Sequence, residues 1–264
     1  MALNFDSLVI DRVVDITAED SQGNILYMLN NLSNVSINTT SESKDKVDAQ
    51  GVLIKRFFTA KQVEVSGDCN LLSLSMIAEQ TGTEKIVATS AKKIKAPKIL
   101  KINTTGITEY IIPDTMRPST PLTKLYAVNA NGTLGQAYTA STEATDTTFI
   151  YSEALGKITL PTGVTGTLVA KYEYETANGV KVIQTSDTFP RTVCLTMKVL
   201  VADSCSVDVI RAAYVVIPSF QTSPDFDLTL DTDAVISFSG VAQRDYCSGD
   251  SELYYIVLTE DDVA

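Results

Sequence analysis

The chain has 264 residues and a formal net charge of −11, with 44% hydrophobic and 20% charged residues. This composition is typical of a globular domain, and no apolar run approaches the roughly 18 to 20 residues that a membrane-spanning helix needs. Histidine is absent, which excludes Ser-His-Asp and Cys-His hydrolysis. The N-terminal residues lack a basic segment followed by a long apolar core, so we expect no secretory signal and synthesis in the cytoplasm.

The cysteine pattern indicates neither a metal site nor a disulfide framework. No two of the four cysteines form a C-x-x-C pair, and there is no histidine to join them as zinc ligands. A disulfide framework is not expected in a long chain without a signal sequence. We therefore expect free buried thiols at Cys69, Cys194, Cys205 and Cys247, with no metal and no cofactor.

Short alternating stretches separated by Gly, Asn, Asp and Pro predict a mainly β fold. The clearest strands in chain order are residues 7–17, 166–176, 193–203, 234–243 and 252–260. Asn131-Gly132 is a hairpin signal. We predict a small inserted β module at residues 97–176, and a discontinuous β domain made of residues 1–96 and 177–264.

Residues 44–65, KDKVDAQGVLIKRFFTAKQVEV, gather cations and two adjacent phenylalanines in an acidic chain. If they form a strand, one face carries Leu53, Lys55, Phe57, Lys61 and Val63, and the other carries Ile54, Arg56, Phe58, Ala60 and Gln62. Because both faces are mixed, we favour a stretch that meets its own fold on one face and a neighbouring subunit on the other. A plain strand and a single-strand nucleic-acid surface are the alternatives, and the acidic chain disfavours the second. The polar residues 38–51 predict a projecting loop.

Residues 66–82 predict one helix, capped by Ser66 or Asp68 and ended by Gly82. Leu71, Leu74, Ile77 and Ala78 share one face at helical spacing. Leu72 and Met76 lie on roughly the opposite side, so the helix needs apolar cover on both sides. The neighbouring subunit is one source of that cover.

Charge is unevenly distributed along the chain. Six lysines and a single acid lie between Glu84 and Lys101, whereas two cations and twelve acids follow Ala202. Segments of opposite sign suit head-to-tail self-association, in which one patch meets a different patch on the next copy. The alternative is a fold that mixes these segments.

Four acids alternate with other residues in SPDFDLTLDTDAV, residues 223–235. On a strand these carboxylates would line one face; they are Asp225, Asp227, Asp231 and Asp233. The functional hypotheses are a calcium site, a hydrolase carboxylate pair and an acidic lining, of which we favour the lining. Scattered exposed acids are the plain alternative.

The layout resembles that of the tail tube (major tail) proteins of tailed bacteriophages. The resemblance lies in DAQGVLIKRFFTAKQVEVSG leading into CNLLSLSMIAEQTG, and in the C-terminal strand series that runs from AAYVVIPSF to YYIVL. It covers about residues 1–96 and 177–264. The middle segment is similar to the Ig-like insertions of phage structural proteins.

This resemblance implies a β-sandwich or barrel that closes into stacked, hexameric rings around an acidic lumen, through which DNA passes without specific binding. It implies a structural protein of the virion tail rather than an enzyme, with copies of itself and other tail or virion proteins as partners and no membrane. The subunit-interface candidates are Lys44, Lys46, Lys55, Arg56, Phe57, Phe58, Lys61, Leu72 and Met76. The acidic lumen or ring-contact candidates are Asp225, Asp227, Asp231 and Asp233. The alternatives are a capsid decoration protein, an Ig-like glycan-binding module, and an enzyme that uses carboxylates and calcium.

Overall fold

The computed structural model describes residues 7–204, 206–225, 227–229, 231–232, 235–246, 249 and 251–263, and only the backbone of 206–209 and 260–263. These residues form 17 strands, one α-helix and one 3-10 turn, so the predicted mainly β fold is confirmed. The strands are β1 (Leu8–Glu19), β2 (Ile25–Asn30), β3 (Leu32–Val47), β4 (Leu53–Cys69), β5 (Ile86–Val87), β6 (Ile94–Asn103), β7 (Glu109–Ile111), β8 (Lys124–Val128), β9 (Leu134–Ala140), β10 (Thr148–Ser152), β11 (Lys157–Thr159), β12 (Thr167–Thr176), β13 (Val180–Lys181), β14 (Thr192–Asp203), β15 (Ser206–Thr222), β16 (Ile236–Ala242) and β17 (Tyr255–Val263). The helix is α1 (Leu74–Gln80), and the 3-10 turn is Asp114–Met116.

The chain forms two compact units. Unit 1 combines the chain up to Lys85 with the chain from Val182 onward, and unit 2 is Ile86–Lys181. Unit 1 contains an eight-stranded sheet in the order β2-β1-β14-β15-β16-β4-β3, with β17 also paired to β15. Unit 2 contains a seven-stranded sheet in the order β6-β12-β8-β9-β10-β11-β7 and the short pair β5–β13.

The long strand β15 changes its partner partway along one edge. Residues Arg211–Val216 pair with β17, whereas Phe220–Thr222 pair with β16. Pro218 lies between the two paired segments, and proline has no N–H to donate to a ladder. The sheet therefore divides at this point, and within the described residues β17 is paired on one edge only.

The core of unit 1 is built from alternating residues of the long strands. Leu195 and Met197 of β14, Ile16 of β1 and Val65 of β4 are all buried in one cluster. Strands from both ends of the sheet supply this cluster. The sheet must therefore curve around a single core, because a flat sheet would hold its ends apart.

The predicted helix is present but begins later than expected. Ser73 is the N-cap and accepts a hydrogen bond from the backbone N–H of Met76 at 3.3 Å. Ser66 and Asp68 belong instead to β4, because that segment is held between β3 and β16 by backbone pairing. The helix ends before Gly82 as predicted, where φ of +66° suits glycine.

Two of the four predicted free thiols lie within the described residues. Cys69 is free and buried, and its Sγ lies 3.3 Å from the carbonyl oxygen of Leu71. Cys194 is free but only half-buried, which differs from the prediction of full burial. Cys205 and Cys247 lie outside the described residues.

Unit 2 has its own apolar core. Leu125, Phe149, Ile158 and Leu168 come from four different strands and are fully buried. The predicted hairpin signal at Asn131-Gly132 forms the turn between β8 and β9, with Gly132 at φ of +80°.

We predict that Gly82→Ala destabilises unit 1 more than Gly23→Ala. Both glycines have positive φ, which costs other residues about 1–2 kcal/mol. Only at Gly82 would the added Cβ overlap the Phe189 carbonyl, so a further loss of about 1–3 kcal/mol is expected. Urea unfolding of the two variants measures the difference in their free energies of unfolding. Equal losses of stability would contradict the close approach of Gly82 to the Phe189 carbonyl.

A second prediction concerns alkaline stability. Burial raises the pKa of Tyr27 from 10.0 to about 12. Between these pH values the unfolded state loses the phenolic proton while the folded state keeps it. Stability present below pH 10 is therefore lost towards pH 12, by about 1.4 kcal/mol per pH unit. Denaturant unfolding from pH 9 to 12 should show this loss of stability with pH in the natural protein and a shallower loss in Tyr27→Phe. Identical pH dependence in the two proteins would refute the contribution of Tyr27.

Candidate functional site

Strands β3 and β4 extend together beyond the body of unit 1. Every residue from Asn38 to Gln62 is exposed, and we call this segment the arm. The sequence predicted a loop for residues 38–51, but β3 continues to Val47 because its backbone pairs with β4. At about 3.4 Å per residue, the nine steps from Gln62 to Leu53 span roughly 30 Å.

The tip of the arm is a tight turn that its own side chains stabilise. The Asp48 carboxylate accepts hydrogen bonds from the backbone N–H groups of Gln50 and Val52, at 2.9 and 2.8 Å. Gly51 has φ of +82° and completes the turn. A hairpin ordered in this way loses less conformational entropy when it binds a partner.

A β-bulge lies at the base of the arm. The pairs Thr40–Gln62 and Glu42–Thr59 enclose one extra residue on β4, and Ala60 there has φ of +49°. An extra residue reverses which side chains share a face. The sequence-based grouping of Val63 with Lys55 and Phe57 is therefore wrong.

The register defines the two sides of the arm. Phe58 lies opposite Ser43, on the same side of β3 as Thr39, whose partner Val63 is buried in unit 1. Phe57 lies opposite Lys44, on the other side. The side of the sheet that faces the core in the body thus continues into the arm as the side of Phe58.

The side of Phe57 is cationic. Lys44 lies opposite Phe57, and Lys46 lies opposite Lys55, so three ammonium groups share one face. Like charges placed directly opposite one another destabilise a strand pair. Lys55 Nζ also lies 5.4 Å from the centroid of the Phe57 ring, within cation–π range. Repulsion between these lysines destabilises the arm in the isolated chain, and an acidic partner would relieve it.

On the side of Phe58, a cation and an acid form an ion pair whose charges cancel. Arg56 donates from Nε and Nη2 to the two carboxylate oxygens of Asp45, at 2.7 and 2.8 Å. These hydrogen bonds lower the pKa of Asp45 and raise that of Arg56. Beside this neutral pair, Phe58 is 69% exposed and Phe57, on the opposite side, is 48% exposed. Lys61 is exposed next to the bulge.

The two helix-region candidates separate in the structure. Leu72 precedes the helix and is 59% exposed, so it stays available for a contact. Met76 is 1% exposed and belongs to the core of unit 1. The sequence predicted Met76 as a subunit contact. Its side chain is instead covered by its own fold and is not available to a neighbouring subunit.

The acidic candidates do not form the predicted strand. Asp225, Asp227 and Asp231 are exposed in the connection between β15 and β16, and none of the described residues from 223 to 235 is in a strand. Asp231 accepts a hydrogen bond from the backbone of its neighbour Thr232 at 2.7 Å. Asp233 lies outside the described residues. Across the part of the chain that is described, no cluster of three acids or cysteines is arranged to hold a metal ion.

Charge separates between the two units. Unit 2 carries ten cations and seven acids, whereas unit 1 carries eleven cations and twenty-five acids. Within unit 1, the arm holds five of the cations and only three of the acids. The arm is therefore a cationic element on a strongly acidic unit.

Strand β17 presents an apolar surface that the sequence analysis did not single out. Tyr255, Ile256 and Val257 are all exposed on this strand, which is paired on one edge only among the described residues. The signal was available in the sequence, because the consecutive apolar residues of YYIV place apolar side chains on both faces of a strand.

Comparison with known proteins identifies the family. The model of the YomU/Tube protein family matches residues 8–247, a range that contains all of unit 2. The chain therefore belongs to this family of phage tail tube type, and the resemblance to tail tube proteins is confirmed. Membership implies a structural phage protein of the virion tail that self-assembles and associates with other tail components.

No curated protein matches the chain. Among the described residues, no helix has the length and apolar character needed to cross a bilayer.

We predict that the aromatic residues of the arm contribute little to the stability of the monomer. Phe57→Ser with Phe58→Ser should change the free energy of unfolding by less than about 1 kcal/mol, because both rings are exposed. Phe220→Ala, in the core of the same unit, should cost about 3–5 kcal/mol. Denaturant unfolding of the monomer tests both variants, and a large loss in the arm variant would show that the arm packs on its own chain.

Proposed function

We propose that this protein is a tail tube subunit that closes into hexameric rings, which stack into a tube that conducts DNA. The arm makes the contact between rings. The observation that carries this proposal is the arm itself: a preformed hairpin, exposed on both sides, that presents cations and phenylalanines from an acidic unit.

The size of the arm supports an interface. A standard protein interface uses about 20–30 residues from each partner. The arm supplies a continuous exposed segment from Asn38 to Gln62, which falls in this range without any contribution from the body. Its reach of roughly 30 Å allows it to contact a separate copy.

Charge supports a second copy of the chain as the partner. Outside the arm, unit 1 carries twenty-two acids and six cations. A cationic arm on one copy is therefore complementary to the body of the next copy, which favours association and sets its direction. This is a heterologous contact, in which different patches meet, and such contacts propagate into rings or filaments.

The edge of β17 supports closure within a ring. An exposed apolar strand with an unpaired edge is a template for pairing with another chain. Pairing β17 with a sheet edge of the adjacent subunit would cover Ile256 and Val257 and continue the sheet around the ring. The resemblance to tail tube proteins supplies the expectation of a continuous inner sheet.

The acids between β15 and β16 are proposed to face the lumen or the arm of the next ring. The irregular connection between β15 and β16 exposes Asp225, Asp227 and Asp231. Exposed acids of this kind can face DNA in the lumen or contact the cationic arm of the next ring. Negative walls repel the phosphates of DNA, so a duplex slides past them without binding.

Electron microscopy tests the proposal directly. The purified protein, concentrated at moderate salt and viewed in negative stain, should show rings or hollow tubes. Sedimentation of the same samples measures the assembled fraction. A monomer that persists at every concentration and salt condition would overturn the proposal.

We predict that Lys46→Glu with Lys55→Glu blocks tube formation and leaves the monomer folded. The two residues lie opposite each other, so the variant keeps a like-charge pair and reverses only the sign that a partner meets. Sedimentation measures assembly, and circular dichroism measures folding.

The matched control exchanges the ion pair of the arm, Asp45→Arg with Arg56→Asp. It preserves the net charge and the pairing of these two positions, so assembly should persist. Tubes formed by the lysine variant as readily as by the control would contradict a charge-dependent contact of the arm.

A further inference from the structure

Unit 1 contains an open apolar cavity of about 440 Å³. Twelve apolar residues line it, drawn from β1, β3, β14, β15 and β17. Ile10 and Ile256 in its wall are 70% and 62% exposed, so the cavity reaches the surface. None of the described residues fills it, and an apolar void of this size forgoes packing contacts that an inserted side chain would restore.

The volume suits an aromatic side chain with apolar neighbours. A cavity of about 150 Å³ lined by aliphatic residues holds one benzene-sized group. The cavity in unit 1 is about three times as large. It therefore has room for a phenyl ring together with one or two aliphatic side chains.

The arm presents such a set. Phe58 is exposed on the side that continues from the core, and the nearby tip exposes Val52, Leu53 and Ile54. The ion pair between Asp45 and Arg56 leaves no unpaired charge from these two residues beside Phe58. The opposite side keeps its lysines available for the acidic surface of a partner.

The arm cannot fill the cavity of its own chain. Ile37 of β3 is part of the cavity wall, and Phe58 pairs with Ser43, six residues further along the same strand. At about 3.4 Å per residue, Phe58 lies roughly 20 Å up the hairpin from that wall. The paired hairpin would have to fold back on itself to reach it.

We propose that Phe58 of one copy inserts into the apolar cavity of unit 1 in the next copy, with the aliphatic tip of the arm packed at the cavity mouth. This acceptor site rests on the proposed function, because it assigns the surface that receives the arm. Complementarity between the cationic arm and the acidic body of unit 1 selects a second copy as the occupant.

Photo-crosslinking tests the insertion. A benzophenone amino acid replaces Phe58, and the variant is co-assembled with isotope-labelled natural protein and irradiated. Mass spectrometry should find residue 58 joined to labelled residues of the cavity wall, which lie in segments 8–13, 35–37, 197–201, 213–215 and 256–258. The control carries the same group in place of Phe57, on the opposite side of the arm, and should not give these products.

Each outcome decides one question. If natural protein forms no tubes, the proposed function fails. If tubes form but the Phe58 variant crosslinks elsewhere, or only within its own chain, the insertion is wrong.

A variant with a filled cavity gives an independent measurement. Ala213 is buried in the cavity wall, and Ala213→Leu reduces the space available to a partner. The concentration needed for assembly should rise roughly tenfold or more, as for loss of an interface hot spot. Phe58→Ala should raise it similarly. If the two folded variants assemble at the concentration of the natural protein, the cavity is not the acceptor.

Discussion

The backbone ladder between β3 and β4 is the interaction on which the candidate site depends. Within the body of unit 1 it holds Val65 in the core, and beyond the body it runs along the arm, where the Asp48 turn and the ion pair between Asp45 and Arg56 add to it. Hydrogen bonds between the two strands satisfy backbone groups without any side-chain core. A hairpin can therefore project into solvent as an ordered element and present both of its sides to a partner.

The bulge at Ala60 gives the two sides of the arm their different chemistry. By adding one residue to β4, it moves Phe58 to the side that continues from the core and gathers three lysines with Phe57 on the other. The side of Phe58 is then suited to an apolar contact, and the side of Phe57 is suited to an acidic surface. A left-handed backbone at an alanine is unfavourable by about 1–2 kcal/mol, a local cost of the kind found where function constrains a fold.

Unit 1 carries several features that a monomer alone does not resolve: opposed lysines, exposed aromatic rings, an apolar strand edge and an open apolar cavity. In the isolated subunit each of these features either destabilises the fold or leaves apolar surface exposed to water. Membership of the YomU/Tube protein family implies self-assembly, and under the proposed function contacts between copies would cover or neutralise each of these features. The division of β15 at Pro218 belongs to the same pattern, since among the described residues it leaves β17 beside the cavity with one edge unpaired.

Sequence periodicity by itself determined the mainly β class, most of the long strands, and the end of the helix at Gly82, because alternation and positive φ are local properties. It also indicated that the stretch around Phe57 and Phe58 has no ordinary interior face. Only the tertiary structure decided that residues 38–51 continue a strand, that Met76 is buried, and that Asp225, Asp227 and Asp231 lie outside any strand. Those outcomes depend on which backbones pair across long sequence separations, and an alanine in a bulge carries no local signal that would reveal the pairing.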